Sequence, residues 1–268
     1  MSAQPTIRQE AWRYADPAAL ATYKAPAEPP VQTISKNQVV VETAGEGASV
    51  SAFDVQPGAH LTHIRLVMGE VAQPCFLNTH VNVQGDATYT NIFINFAATY
   101  VRNQAQVELV DKGAHANMLG AYMLDTGGHS DTLTRVHHAA PDTTSDEVYK
   151  GVLNNRARGV FQAQIRVAPD AQRIVGNQMH RALMLSDEAR VDAKPELEIF
   201  ADDVQCSHGA TVGDLDPNQL FYLTARGIPK SVARALLIRA YLDEIIGALP
   251  EIQQASVQEQ LETYLRGL

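Results

Sequence analysis

The sequence predicts a mainly β protein, a parallel β-helix followed by a C-terminal helical subdomain, and three observations lead to this prediction. Residues from about 31 to 212 consist of short runs that alternate apolar and polar residues, the period of strands. Corners of small and charged residues join these runs, and the sequence has no Asn-Gly or Asp-Gly hairpin turn. After residue 213 the apolar spacing changes to that of helices.

The first thirty residues predict an arm and a linker. The stretch QEAWRYADPAALATY is a short helix candidate. The segment after it contains Pro26, Pro29 and Pro30, which disfavour both a helix and a central strand. We therefore expect residues 1–30 to form a docked arm and linker ahead of a β-helix core over residues 31–212.

A weak repeat runs through the predicted core, in which an apolar pair precedes a polar turn, a small residue and another alternating strand. The spacing is irregular, and at ~20 or more residues per coil the segment predicts about six to nine coils. A β-sandwich stays open as an alternative, because the pattern alone favours the β-helix only modestly. The turn elements are Gly85-Asp86-Ala87, Lys112-Gly113-Ala114, Arg156-Ala157-Arg158 and Glu188-Ala189-Arg190. The alignment predicts inward-facing apolar rows at Val81, Val83, Val107, Leu109, Leu183 and Leu185.

The C-terminal subdomain, residues 213–268, predicts three helices. Asp216-Pro217 places an N-cap before a proline at the first helical position, and Gly227-Ile228-Pro229 is a stop signal. The second helix, from Lys230 to about Leu249, has apolar residues on more than one stripe. That excess apolar surface needs a second neighbour, either inside the subdomain or on another protein.

Charge and composition exclude several classes of protein. Thirty acidic residues against 21 basic ones give a net charge of -9, which argues against binding to a phosphate backbone. The sequence has no uncharged apolar run near ~18 residues and opens without a basic and apolar leader, so neither a membrane span nor a secretion signal is predicted. Two distant cysteines, Cys75 and Cys206, suit free thiols in a cytoplasmic protein.

Sequence motifs for common chemistries are absent: there is no phosphate-binding glycine loop, no G-x-S-x-G and no H-E-x-x-H. An ATPase or a dehydrogenase is therefore not predicted. His129, His137 and His138 lie close together in sequence, but carboxylates and thiols at ligand spacing do not accompany them. Histidines that stack or form hydrogen bonds at the coil turns are the favoured interpretation over a metal site.

The pair Cys206 and His208 is a sharper candidate. Two residues apart on a strand, both side chains point to the same face. A thiolate with an imidazole suits zinc or iron, including iron in clusters. Because two ligands are half of a complete site, either a partner chain supplies the others or Cys206 is simply a small buried residue. Spacing alone favours the second interpretation.

The same region resembles a known family. EIFADDVQCSHGATVGDLDPNQLFYLTARGIP, together with SDEVYKGVLNNRARGVFQAQIRVAPDAQ upstream, resembles the SufB/SufD family of iron-sulfur cluster assembly proteins. Residues 129–249 carry most of the resemblance. Glu10-Ala11-Trp12-Arg13-Tyr14 is similar to an E-x-W-R-Y element of the family's SufD branch.

The resemblance implies a right-handed parallel β-helix in a non-enzymatic scaffold subunit. In the family, SufB and SufD pair through their β-helices and the ATPase SufC docks on the C-terminal helices, so SufB and SufC are the implied partners. An isolated chain that pairs with a second copy is a further option. The implied docking residues are Leu220, Phe221, Tyr222, Arg226, Leu236, Leu237 and Tyr241.

The resemblance also implies what is bound. A transient iron-sulfur cluster, or its iron and sulfide precursors, would lie at the SufB interface, with nothing held tightly by the isolated chain. His208 would face a SufB cysteine there, and this implication reverses the interpretation from spacing alone. Cys206 would have a supporting role.

Two other classes are weighed against this one. A β-helix carbohydrate-active lyase or hydrolase would carry paired carboxylates or calcium in its groove. We would expect a secretion signal and an aromatic-lined groove in such an enzyme, and the sequence predicts neither. A homo-oligomeric structural β-helix without metal is the other alternative.

Overall fold

The computed structural model describes residues 5–6, 8–69, 71–97 and 99–267. Over these residues the protein is mainly β with C-terminal helices, as predicted. A short 3₁₀ turn, Glu10–Trp12, precedes the first helix. The helices are α1 (Pro17–Thr22), α2 (Pro217–Thr224), α3 (Lys230–Ile246) and α4 (Glu251–Leu265). The strands are β1 (Gln32–Ile34), β2 (Gln38–Thr43), β3 (Gly47–Val55), β4 (His60–Gly69), β5 (Cys75–Val83), β6 (Thr88–Ala97), β7 (Tyr100–Leu109), β8 (His115–Leu124), β9 (His129–His138), β10 (Thr144–Leu153), β11 (Arg158–Val167), β12 (Ile174–Met184), β13 (Arg190–Ile199) and β14 (Val204–Gly213).

The strands form two parallel sheets that together make a β-helix. Odd-numbered strands lie in one sheet from β1 to β13, and even-numbered strands lie in the other from β2 to β14. Each coil therefore adds one strand to each sheet. Register partners such as His129 and Arg158 are 29 residues apart, which is the length of one coil. The predicted parallel β-helix is confirmed, and the parallel ladders exclude the hairpin-built sandwich.

One corner of the coil is built from a column of residues in the left-handed conformation. It joins each odd strand from β3 to β11 to the next even strand, and main-chain hydrogen bonds connect successive corners, such as Asp86 N to Lys112 O at 3.1 Å. A Cβ at Gly113 would collide with the side chain of Asp86 below it, so glycine is needed there. The left-handed residues of the column are Gly58, Asp86, Gly113, Asp142 and Arg173.

The predicted repeat alignment is wrong in one respect. Gly85-Asp86-Ala87 and Lys112-Gly113-Ala114 belong to this corner, but the elements at Ala157 and Ala189 lie at the corners that join even strands to odd strands. The inward-facing positions differ by one residue between the two. Val81 and Val107 are buried in the interior as predicted. Leu183 and Leu185 instead contact the C-terminal helices on the outside of the even sheet.

The C-terminal helices lie along the outer face of the even sheet rather than across the end of the β-helix. One buried face of α3 and one of α4 pack on outward side chains of β4, β6, β8 and β10. The members of this interface are all buried. They are Ile64, Leu66, Ile92, Ile94, Phe96, Ala121, Met123, Val152, Ile238, Leu242, Ile245, Ile246, Leu249, Val257, Leu261 and Leu265.

The N-terminal arm packs on the other sheet. Leu20 of α1 is buried against Phe76 and Tyr100, which point outward from β5 and β7. The guanidinium of Arg102 lies 4.0 Å from the centre of the Trp12 ring and forms a buried ion pair with Asp131, Nη1 to Oδ2, at 2.6 Å. The two flanking segments therefore cover opposite faces of the same β-helix.

Candidate metal and partner-binding sites

Cys206 and His208 lie on β14, the last strand of the even sheet. Their strand pairs with β12 on one side only, so its other edge is open in the described chain. The last strand of the odd sheet, β13, likewise pairs only with β11. The predicted pair is thus at the open end of the β-helix, where a second chain has access to it.

The Cys206 side chain points into the interior of the β-helix. It is half-buried and packs, with Val204, against a cluster that contains Ile165 and Ile174. Burial raises the pKa of the Cys206 thiol, so the thiol form is favoured at neutral pH. The neighbouring Gly176 leaves room for this thiol, since a Cβ there would come within 3.4 Å of Sγ.

His208 has the same inward direction as Cys206, because side chains two residues apart on a strand share a face. It lies on the outermost strand and is exposed, whereas its register partner Gln178 on β12 is buried. Gln178 in turn pairs with Glu147 on β10, and its Nε2 donates a hydrogen bond to Glu147 Oε1 at 3.0 Å. An inward row of polar side chains therefore ends at His208.

Glu147 and Gln178 are residues that sequence reasoning missed. Glu147 is buried, and burial raises the pKa of its carboxyl to about 7. Its Oε2 has no hydrogen-bond partner, and neither has Gln178 Oε1. Offsets of 31 residues from Glu147 to Gln178 and 30 from Gln178 to His208 could have placed them in one row, had the coil lengths been known.

Within the described ranges, no group of three or more His, Cys, Asp and Glu side chains could hold a metal ion. His138 uses both ring nitrogens in hydrogen bonds, to Thr143 at 2.8 Å and to Ser145 at 2.9 Å, and burial lowers its pKa to about 4. His137 Nδ1 lies 2.6 Å from Glu108 Oε2. These contacts agree with the interpretation of hydrogen-bonded histidines.

The predicted docking residues lie on α2 and α3. Phe221 is 72% exposed, Tyr222 56% and Leu236 44%. Leu220 and Leu237 are half-buried, and Arg226 is exposed with its guanidinium 4.2 Å from the centre of the Tyr222 ring. An open apolar groove of about 370 Å³ separates the two helices, and it is lined by Asn218, Gln219, Tyr222, Leu223 and Leu237.

Tyr241, also among the predicted docking residues, faces the β-helix instead of the exposed surface. Its ring centre lies 4.7 Å from Lys150 Nζ, and its main-chain oxygen accepts a hydrogen bond from the same ammonium at 2.8 Å. Lys150, on β10, is buried and also pairs with Glu244 Oε2 at 2.6 Å. This ammonium fixes the position of α3 on the sheet.

Helices of the described segments are either too short or too polar to cross a membrane. Both cysteines are free thiols, and Cys75 is buried with its Sγ 2.8 Å from Gly45 O.

Comparison with known proteins identifies the family. The sequence matches the family described as SUF system FeS cluster assembly, SufBD core domain, over residues 30–241, more than three quarters of the chain. It is 32% identical over 197 residues to the iron-sulfur cluster assembly protein SufD of Escherichia coli strain K12, which covers 74% of this chain and 47% of that protein. It is 30% identical over 247 residues to an iron-sulfur cluster assembly SufBD family protein of Mycobacterium tuberculosis, which covers 87% of this chain and 62% of the relative.

A third relative is the iron-sulfur cluster assembly protein SufD of Bacillus subtilis, 38% identical over 117 residues that cover 44% of this chain and 27% of that protein. The chain thus spans about half the length of the first two relatives. The resemblance seen in the stretch around Cys206 is confirmed. The chain therefore belongs to the SufB/SufD family of the SUF iron-sulfur cluster assembly system, and it is similar to the SufD proteins in that family.

Proposed function

We propose that this protein is a non-enzymatic, cytoplasmic scaffold subunit that pairs with SufB through β14 and docks the ATPase SufC on α2 and α3. The nascent iron-sulfur cluster, or its iron and sulfide, is its cargo at the SufB interface. The observation that carries the proposal is the position of Cys206 and His208 on an open edge strand of the end coil.

The two edge strands differ in a way that supports pairing through β14. Strand β13 carries Pro195 and five charged residues, which are features that block edge-to-edge association. Strand β14, VQCSHGATVG, has ten residues without proline, lysine, arginine or carboxylate. Its free main-chain groups can form a ladder with an incoming strand, and Val212 on it is 46% exposed.

The chemistry of the cargo fits the few ligands available. An imidazole and a thiol from one chain leave positions for ligands from another, so the cluster would be completed only in the complex. A site with few ligands that is split between chains can release what it assembles more readily than a four-cysteine site. His208 is exposed at the chain end, whereas Cys206 is partly covered, so we assign the imidazole as the main ligand.

The exposed side of α2 and α3 supports the assignment of the SufC dock. Phe221, Tyr222 and Leu236 surround the apolar groove while the opposite side of α3 is anchored on the sheet. Aromatic and apolar side chains around a groove are typical of protein interfaces. ATP-driven movement of a docked SufC would act directly on the β-helix through α3.

The His208→Ala variant tests the cargo site. Co-expressed with SufB and SufC, it should assemble normally but contain little iron and sulfide, because alanine can neither ligate iron nor exchange a proton. Cys206→Ala should retain much of both. His80→Ala, which removes an exposed histidine from β5, is the matched control and should behave as wild type. Normal iron and sulfide content in His208→Ala would refute the site, and failure to assemble would make the residue structural.

The Leu236→Asp variant tests the dock. A carboxylate on the exposed side of α3 should abolish or strongly weaken co-purification of SufC, because burying it at an interface is costly. Ile252→Asp is the control: Ile252 is 81% exposed, but on α4. Equal SufC recovery with both variants and with wild type would exclude the α2 and α3 surface.

A further inference from the structure

The inward polar row behind His208 is unusual for a β-helix interior, which otherwise buries apolar side chains. Going inward from the open end, His208 is followed by Gln178, Glu147 and Met118 in direct register. Gln178 and Glu147 are each only 1% exposed. Burial of an amide and a carboxyl is unfavourable unless their hydrogen-bonding groups find partners.

The hydrogen bonds of Gln178 are only half complete. Its Nε2 donates to Glu147 Oε1, and a carboxyl oxygen without a proton can accept only from the amino side of the amide. Glu147 therefore holds the amide in one orientation. Gln178 Oε1, the remaining acceptor, is buried and has no partner. The adjacent strand places His208 beside it, about 4.8 Å away along the stack of strands.

We propose that Gln178, held in place by Glu147, is a positioning residue that accepts a hydrogen bond from the ring N–H of His208 when the other ring nitrogen engages the cargo. This inference rests on the proposed function of His208. A histidine that ligates a metal usually donates its second N–H to a carbonyl or carboxylate, which fixes the tautomer and the ring orientation. An unpartnered amide oxygen in register with an exposed histidine provides that acceptor.

The test compares complexes co-expressed and co-purified with SufB and SufC. Gln178→Met keeps the approximate volume but removes the acceptor, and it should reduce iron and sulfide per complex by about tenfold or more. The double variant Glu147→Gln/Gln178→Glu exchanges the two groups, which restores an acceptor beside His208 and preserves a hydrogen bond between the pair. It should recover most of the lost iron and sulfide.

Asn91→Leu is the matched control for loss of a buried amide. Asn91 lies in the same inward row on β6, is 1% exposed, and donates a hydrogen bond to His63 O at 3.3 Å. Four strands separate β6 from β14 in direct sheet order, when β14 is counted as the first. This variant should be destabilised in thermal unfolding yet keep its iron and sulfide.

His208→Ala is measured alongside. If it loses iron and sulfide while Gln178→Met keeps them, the positioning role is wrong and the proposed function stands. The role is also wrong if the exchanged pair fails to recover what Gln178→Met loses, or if Asn91→Leu loses as much, since both results indicate a role in packing alone. If His208→Ala itself keeps its iron and sulfide, the proposed function fails and this inference fails with it.

Discussion

Leu242 offers a direct measurement of how strongly the C-terminal helices are attached to the β-helix. Its side chain is fully buried between α3 and the outer face of the even sheet. Leu242→Ala removes three carbon atoms, worth about 2.4 kcal/mol of burial at ~0.8 kcal/mol for each. The cavity that remains adds to this loss, so we expect the free energy of unfolding to fall by about 2.5 to 5 kcal/mol.

Urea unfolding followed by circular dichroism would measure the change, with Leu236→Ala as the matched control on the same helix. Leu236 is 44% exposed, so its truncation should cost no more than about 0.5 kcal/mol. Equal effects of the two substitutions would refute the packing of α3 described above. A second transition in Leu242→Ala, with the β-helix unfolding at the wild-type urea concentration, would show that the helices unfold separately.

Two further predictions concern the β-helix interior. Burial raises the pKa of Glu147 from 4.5 to about 7, so the folded protein binds this proton more tightly than the unfolded chain does. Between about pH 5 and pH 8 wild type should therefore lose up to about 3 kcal/mol of stability relative to Glu147→Gln; a difference that is constant with pH would contradict this. Gly151→Ala should destabilise the fold by at least about 1 to 3 kcal/mol because its Cβ would overlap the Tyr122 ring, whereas Gly213→Ala has open space and should be nearly neutral in thermal unfolding.

The alternating runs and the missing hairpin turns were sufficient to predict the β-helix, because strand alternation is a local property. They could not fix which residues face inward at each corner. Leu183 was expected inside, yet it contacts the helices, since its corner joins an even strand to an odd one. A shift of one residue exchanges the two faces of a strand, so an error of one position is sufficient.

The candidate site was predicted only in part for a related reason. Cys206 and His208 are close in sequence, so their common face could be predicted from strand geometry alone. Glu147 and Gln178 reach the same row only through register, and successive offsets along it are 29, 31 and 30 residues. Such irregular coil lengths conceal the row in the sequence.

The attachment of the tail to the even sheet also bears on how the chain is made. Phe96, on β6, packs against Tyr264, and Tyr264 Oη donates a hydrogen bond to Phe96 O across a sequence separation of 168 residues. At about 5 to 20 residues per second, a ribosome needs roughly ten to thirty seconds to synthesise that interval. Throughout this time the apolar outer face of β4 and β6 lacks its cover. A nascent chain in this state is a natural client for chaperones, and its yield should depend on how quickly the last helices follow.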